Sequence, residues 1–127
     1  MTSSRSDEPS GVRPDVIDHN AILMRIYVAE TARSGGRQSY RVLVEKLFEH
    51  GFSGATVFRG AEGFGASGRI SADWIPDVPG DLPMLVEVAT ADVDRVRKFL
   101  AVLESAQTEC LVTLERIARL VCRTAKD

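Results

Sequence analysis

Apolar alternation in three short runs, a 3.6-residue period in two longer ones, and a glycine-rich connection between two of the short runs predict an α+β fold. The order is strand, helix, strand, loop, strand, helix. With a closing strand it is the split β-α-β arrangement, a ferredoxin-like βαββαβ sandwich. Such a chain lays two helices on one face of a four-stranded antiparallel sheet. The 127 residues suit one domain with a core of its own.

The first strand is expected over residues 21–29, AILMRIYVA, with Met24, Ile26 and Val28 on one face and Leu23, Arg25 and Tyr27 on the other. A polar loop over 30–37 is broken by Gly35 and Gly36. From about residue 37 to 50, Tyr40, Leu43, Val44, Leu47 and Phe48 form one helical stripe, with Arg41 and Glu45 outside it. Gly51 follows as a left-handed helix stop.

A short strand over 55–58 then enters the glycine-rich stretch. The next strand, 82–89, places Leu82, Met84, Val86 and Val88 on one face and Leu85 and Glu87 on the other. Thr90 is positioned to cap a second helix, with Asp92 and Asp94 in its first turn. Val93, Val96, Phe99, Leu100 and Leu103 mark its stripe, which runs out near residue 108. Residues 111–122 fit either a helical stripe or an alternating strand, and pattern alone favours the helix. The outer sheet face would carry Arg25, Tyr27, Phe58, Leu85 and Glu87, a half-apolar surface that packing between copies would cover.

Several function classes are excluded. A net charge of -2 with scattered basic residues argues against non-specific nucleic-acid binding, and no apolar run is long enough to span a bilayer. Residues 1–20 lack the apolar region of a signal peptide and are rich in Ser, Asp, Pro and Gly, so a disordered arm is expected there. The folded domain is expected over 21–123, with a short tail over 124–127. Cys110 and Cys122 form no CxxC pair and lie far from His19 and His50, which argues against zinc and for reduced, cytoplasmic thiols in the core.

The glycine-rich loop is where function is expected. Gly63-Phe-Gly-Ala-Ser-Gly68 satisfies GxGxxG, but Trp74, Pro76 and Pro79 forbid the long helix that a dinucleotide site needs. A kinase needs more chain and an HRD segment. Phe64, Trp74, Arg59, Glu62 and Arg69 make the stretch chemically richer than a plain linker. Glu62 with Asp73 is the one candidate carboxylate pair. Glu87, a carboxylate inside an apolar strand, is either a ligand contact or the partner of a cross-strand base such as Arg25.

A set of motifs carries a resemblance: Met24-Arg-Ile-Tyr-Val28, Ser34-Gly-Gly-Arg37, Gly54-Ala-Thr-Val57, Arg59-Gly-Ala-Glu-Gly-Phe-Gly-Ala-Ser67, Asp81-Leu-Pro83 and Leu111-Val-Thr-Leu-Glu115. From about residue 23 to 121 the chain resembles the PII-like family termed domain of unknown function one-ninety. The resemblance implies a PII-like homotrimer, a mobile loop over 60–80 and a small anionic ligand bound between subunits, with an adenine nucleotide as one candidate cofactor. It also implies a final strand from about Thr113 after a turn near Glu109. Members are often encoded beside small fluoride-exporting membrane channels, which makes such a channel a candidate partner; catalysis is not implied.

Carried over by position, the PII contacts match Gly63, Phe64 and Gly65, the strand carboxylate matches Glu87, and one basic residue of the last strand matches Arg119. Ala66 stands where PII has a basic residue, with Arg69 nearby. The Gly- and Lys-rich phosphate turn has no counterpart in residues 105–111, which weakens the case for ATP. The expected ligand-facing residues are therefore Gly63, Phe64, Gly65, Arg69, Glu87 and Arg119, and the expected partner contacts are Glu62 and Trp74. The competing readings are a ligand-independent interaction module and a hydrolase or transferase built on Glu62 and Asp73.

Overall fold

The computed structural model describes residues 16–65, 68–74 and 81–122. Its main sheet contains β1 (Ile17–Ala29), β4 (Thr56–Arg59), β7 (Pro83–Thr90) and β8 (Leu111–Leu120), in the spatial order β4-β7-β1-β8 with every neighbouring pair antiparallel. Helix α1 (Ser39–Glu49) joins β1 to β4, and α2 (Val93–Ala106) joins β7 to β8. This is the expected ferredoxin-like α+β arrangement. Two short hairpins complete it: β2 (Arg33–Ser34) with β3 (Arg37–Gln38), and β5 (Glu62–Gly63) with β6 (Ser71–Ala72).

Alternation selects the core. Met24, Ile26 and Val28 of β1 and Met84, Val86 and Val88 of β7 are buried with Leu43 and Leu47 of α1 and Val96, Phe99 and Leu103 of α2. Both helices therefore cover one face of the sheet. Full burial of each large apolar side chain is worth about 1.5–3 kcal/mol, so this cluster outweighs any exposed ion pair. Phe99, fully buried, lies edge-on to Phe52 with ring centroids 5.6 Å apart, and the His50 ring meets it edge-on at 5.7 Å.

Several local expectations are corrected. Phe48, at the margin of the α1 stripe, is 82% exposed. The cap of α2 is Asp92, whose side chain accepts the Arg95 N–H at 3.0 Å, while Thr90 Oγ1 accepts the Asp92 N–H at 3.1 Å. Thr90 thus supports the cap rather than forming it. Val93 is 39% exposed and contributes little to the core. Gly51, at φ +83°, stops α1 as expected. The 30–37 segment is a hairpin, closed by Gly35 and Gly36 with φ +60° and +84°, the pair of positive angles that a tight two-residue turn requires.

Both ends of β1 and β8 extend the sheet. β1 begins at Ile17 because Ile17 pairs with Leu120 and Asp18 with Arg119, so residues 17–20 belong to the sheet and not to an arm. Residues 1–15 and 123–127 lie outside the described residues. The last element is a strand, contrary to its helical pattern. As an edge strand, β8 is solvated on both faces: even Leu114, opposite buried Met24, is 50% exposed. With neither face sealed, its sequence carries no clean alternation. Cys122, past the end of β8, is exposed rather than a core residue, whereas Cys110 is half-buried against the core.

Candidate functional site

Two feet anchor the glycine-rich loop to the end of β1. At the first, the Arg59 Nε and Nη2 donate to the two Glu30 carboxylate oxygens at 3.0 and 3.2 Å. That bond holds the Arg59 pKa above its ordinary value. At the second, the Leu82 N–H donates to Glu30 Oε1 at 3.4 Å and Thr31 Oγ1 to Asp81 Oδ1 at 2.6 Å. Glu30 therefore ties the entry and exit of the loop together.

Between the feet the chain folds back as the β5–β6 hairpin, whose β6 residues Ser71 and Ala72 are buried. The Gly60 N–H donates to the Pro83 carbonyl at 2.8 Å, and the Asp73 N–H to the Ala61 carbonyl at 3.0 Å. A Cβ on Gly60 would lie 2.7 Å from Pro83 Cγ, and one on Gly63 2.9 Å from the same atom. These two glycines are present because the hairpin rests directly on the Pro83 ring. Gly68, at φ +73°, answers a turn requirement instead, and its N–H donates to the Gly65 carbonyl at 2.9 Å. The stretch is thus a positioned hairpin over its described part, and residues 66–67 and 75–80 of the expected mobile loop lie outside the described residues.

The hairpin forms one wall of a cleft of about 570 Å³, a size that suits a small organic ligand. Phe64, Gly65 and Arg69 line that wall. The floor and opposite side come from the end of β1 (Tyr27 to Ala29, then Thr31), the start of β7 with Asp81 before it, and the turn into β8 at Glu109, Cys110 and Leu111. Strand order explains the convergence. Tyr27 pairs with both Leu85 and Leu111, and Ala29 with Pro83, so these ends share one edge of the sheet. The Phe64 ring is 73% exposed and Tyr27 37%, leaving aromatic surface open to a ligand. Partial burial raises the Cys110 thiol pKa and keeps it protonated.

Of the sequence-expected ligand residues, Phe64, Gly65 and Arg69 line this cleft, and Gly63 stands next to them on β5. Glu87 is elsewhere, on the outer face of the sheet. It accepts Arg25 Nε at 3.2 Å, while Arg25 Nη1 donates to Glu115 at 3.2 Å, so the cross-strand pairing is realised. Arg119 is eight residues along β8 from Leu111, roughly 26 Å at ~3.3 Å per residue. There it lies 3.8 Å from Asp18 and 3.5 Å from the Ala89 carbonyl. Within one chain the cleft does not gather Glu87 or Arg119. The expected partner contacts do meet: Trp74 Nε1 donates to Glu62 Oε1 at 3.4 Å, with the indole 69% exposed.

Sequence reasoning did not assign Thr31, Asp81, Glu109 or Cys110 to a ligand site. The available signal was topological. In a βαββαβ sheet the end of the first strand and the starts of the third and fourth lie side by side. Among the described residues no three His, Cys, Asp or Glu side chains group as a metal site, and no helix is long and apolar enough to cross a membrane.

Comparison with known proteins agrees with this architecture. Residues 21–119 match the DUF190 family, described as Uncharacterized ACR. Two proteins of Aquifex aeolicus (strain VF5), each named UPF0166 protein, are similar along most of their length. One is 30% identical over 95 residues, covering 75% of this chain and 89% of the relative; the other is 31% identical over 96 residues, covering 76% and 93%. The chain belongs to this uncharacterised family.

Proposed function

We propose that this DUF190 protein is a PII-like regulator that binds a small ligand bearing an anionic group and signals through its glycine-rich hairpin. The carrying observation is that one cleft is walled by the hairpin residues Phe64, Gly65 and Arg69 on one side and by the rigid strand ends on the other. A ligand touching both walls favours one hairpin position, which is the differential affinity a switch needs. Phe64 and Trp74, both largely exposed, then form the surface offered to a partner, for which a fluoride-exporting membrane channel is the candidate. Binding without turnover, at the cytoplasmic side of such a channel, is part of the proposal.

Assembly as a homotrimer is the second part. The outer sheet face presents Phe58, 49% exposed, in register with Leu85, Tyr27 and Leu111, the last 62% exposed. Copies packed through that face would cover this stripe and bring one chain's Arg119 or Glu87 toward a neighbour's cleft. Light scattering after gel filtration tests the assembly: three times 13.9 kDa is expected, and a monomer at micromolar concentration would refute it.

The ligand is tested by a thermal-shift screen of nucleotides and small organic anions, with hydrogen exchange at Gly60–Ala72 amides as the second readout. A ligand at 100 times its dissociation constant adds about 2.7 kcal/mol. A hit should raise the melting temperature and slow exchange in the hairpin. Stabilisation without any change in the hairpin would refute signalling through it. The rival reading, an interaction module that needs no ligand, is favoured by the Trp74–Glu62 bond, which orients an exposed indole through the chain's own side chains. It requires channel binding that is insensitive to small molecules yet lost in Trp74→Ala.

A further inference from the structure

One carboxylate serves both feet of the hairpin, and its neighbour in sequence lines the cleft. The β1–β7 ladder ends with Ala29 opposite Pro83. One rung further, the Glu30 N–H still donates to the Leu82 carbonyl at 2.9 Å. The Leu82 N–H, however, turns to the Glu30 side chain, while the Glu30 carbonyl accepts Gln38 Nε2 at 3.4 Å. Leu82 is buried, so that N–H depends on the carboxylate for a partner. Glu30 Oε1 is shared: it accepts both the Leu82 N–H and Arg59 Nη2, while Oε2 takes Arg59 Nε. With its side chain 17% exposed, Glu30 holds these bonds in surroundings poorer in water than an open surface. Beside it Thr31 donates to Asp81, and both of those residues line the cleft.

We infer that Glu30 is a positioning residue that couples the floor of the cleft to the hairpin, a role that rests on the cleft being the ligand site proposed above. A ligand group that contacts Thr31 or Asp81 acts on the second foot. The shared carboxylate passes that displacement to Arg59 at the first foot, and through it to Gly60 and β5. The two feet are contiguous through one side chain, so the ligand need not touch Arg59. The hairpin then answers to occupancy of the floor as well as to contact with its own wall residues.

Amide hydrogen exchange on the full chain without ligand tests the coupling, with Leu82 reporting the second foot and Gly60 the first. Thr31→Val, which removes the hydroxyl donor to Asp81, should speed exchange at both amides by about three-fold or more. In a Glu30→Ala background the same substitution should change Gly60 by less than about 1.5-fold, because the link between the feet is gone. Glu30→Gln keeps an acceptor for Leu82 but sets an amide donor against Arg59, so it should speed Gly60 by about three-fold or more and spare Leu82. Trp74, the single tryptophan, gives a second readout: its fluorescence anisotropy should fall in Glu30→Gln. Amides of the β1–β7 ladder and circular dichroism melting verify that the variants are folded. A Gly60 rate that ignores Thr31→Val, or that responds equally with and without Glu30, would overturn the coupling. So would unchanged Gly60 exchange and Trp74 anisotropy in Glu30→Gln. These rates are measured without ligand, so they fail or hold independently of the ligand screen that tests the regulator reading.

Discussion

Gly60→Ala is the sharpest probe of how the hairpin is seated. The new Cβ would lie 2.7 Å from Pro83 Cγ and 3.0 Å from the Pro83 carbonyl oxygen. Ordinary contact begins near 3.4 Å, so the ring is encroached on by roughly 0.7 Å, and a proline ring has little freedom to yield. The backbone oxygen also accepts the Gly60 N–H at 2.8 Å, so displacing it weakens that bond. Overpacking of this kind costs about 1–3 kcal/mol. Gly60 does not occupy a positive φ, so alanine also restricts the unfolded chain and returns about 0.4–1 kcal/mol. A net loss of up to about 2.6 kcal/mol follows from the two effects together. Gly65→Ala meets no atom of the described residues beyond its chain neighbours within 4 Å and has no positive φ, so it should be neutral or slightly stabilising. The difference between the two variants isolates the clash. At about 3–6 °C per kcal/mol for a chain of this size, a 2 kcal/mol gap separates their melting temperatures by roughly 6–12 °C. Calorimetric melting reads it directly. In a Pro83→Ala background, where the Cγ atom is gone, the Gly60→Ala penalty should fall by at least half. Equal melting temperatures for the two glycine variants, or strict additivity with Pro83→Ala, would refute the account of the glycines as seats for the hairpin.

Three further outcomes are expected. Phe99→Ala removes a fully buried ring that contacts both Phe52 and His50 and should cost about 3–5 kcal/mol in urea unfolding, whereas Phe48→Ala, on an exposed side chain, should change stability by less than about 0.5 kcal/mol. Glu45 is held below its ordinary carboxylate pKa by the bidentate bond from Arg37. A carboxylate depressed in the folded state stabilises the fold above its unfolded pKa, and that stabilisation is lost as pH falls through the folded value. NMR titration should therefore show Glu45 protonating at lower pH than a free glutamate, and Arg37→Gln should return it upward; an unchanged midpoint would refute the pair. With iodoacetamide at pH 8, Cys122 should alkylate faster than Cys110, whose thiol is half-buried and raised in pKa, and peptide mass spectrometry reads both rates.

Where one face of an element is sealed against the core, its sequence was readable. Met24, Ile26 and Val28, and Leu82, Met84, Val86 and Val88, alternate because the helices cover one side of those strands. Leu43, Leu47, Val96, Phe99 and Leu103 repeat at helical spacing for the same reason. β8 was not readable from its pattern, because an edge strand solvated on both faces has no burial to impose a period. Its strand state was expected only from family resemblance. Arg25 and Glu87 were recognised as cross-strand candidates, since opposed positions on adjacent antiparallel strands are fixed by register once the order of strands is known.

By itself, the sequence determined the fold class, the two helices with their buried stripes, the family, and the hairpin as the chemically rich segment. These are consequences of burial and local chain geometry, which act between residues near in sequence or repeat at a fixed period. Only the tertiary structure decided which of the named residues share a site. Phe64, Gly65 and Arg69 join Tyr27, Asp81 and Glu109 in the cleft, while Glu87 is bonded to Arg25 on the outer face and Arg119 lies far along β8. That sorting depends on contacts between strand ends tens of residues apart, set by the β4-β7-β1-β8 order. It also gave the glycines their meaning. Gly60 and Gly63 are small because Pro83 lies beneath them, a contact across some twenty residues that a glycine-rich motif does not encode.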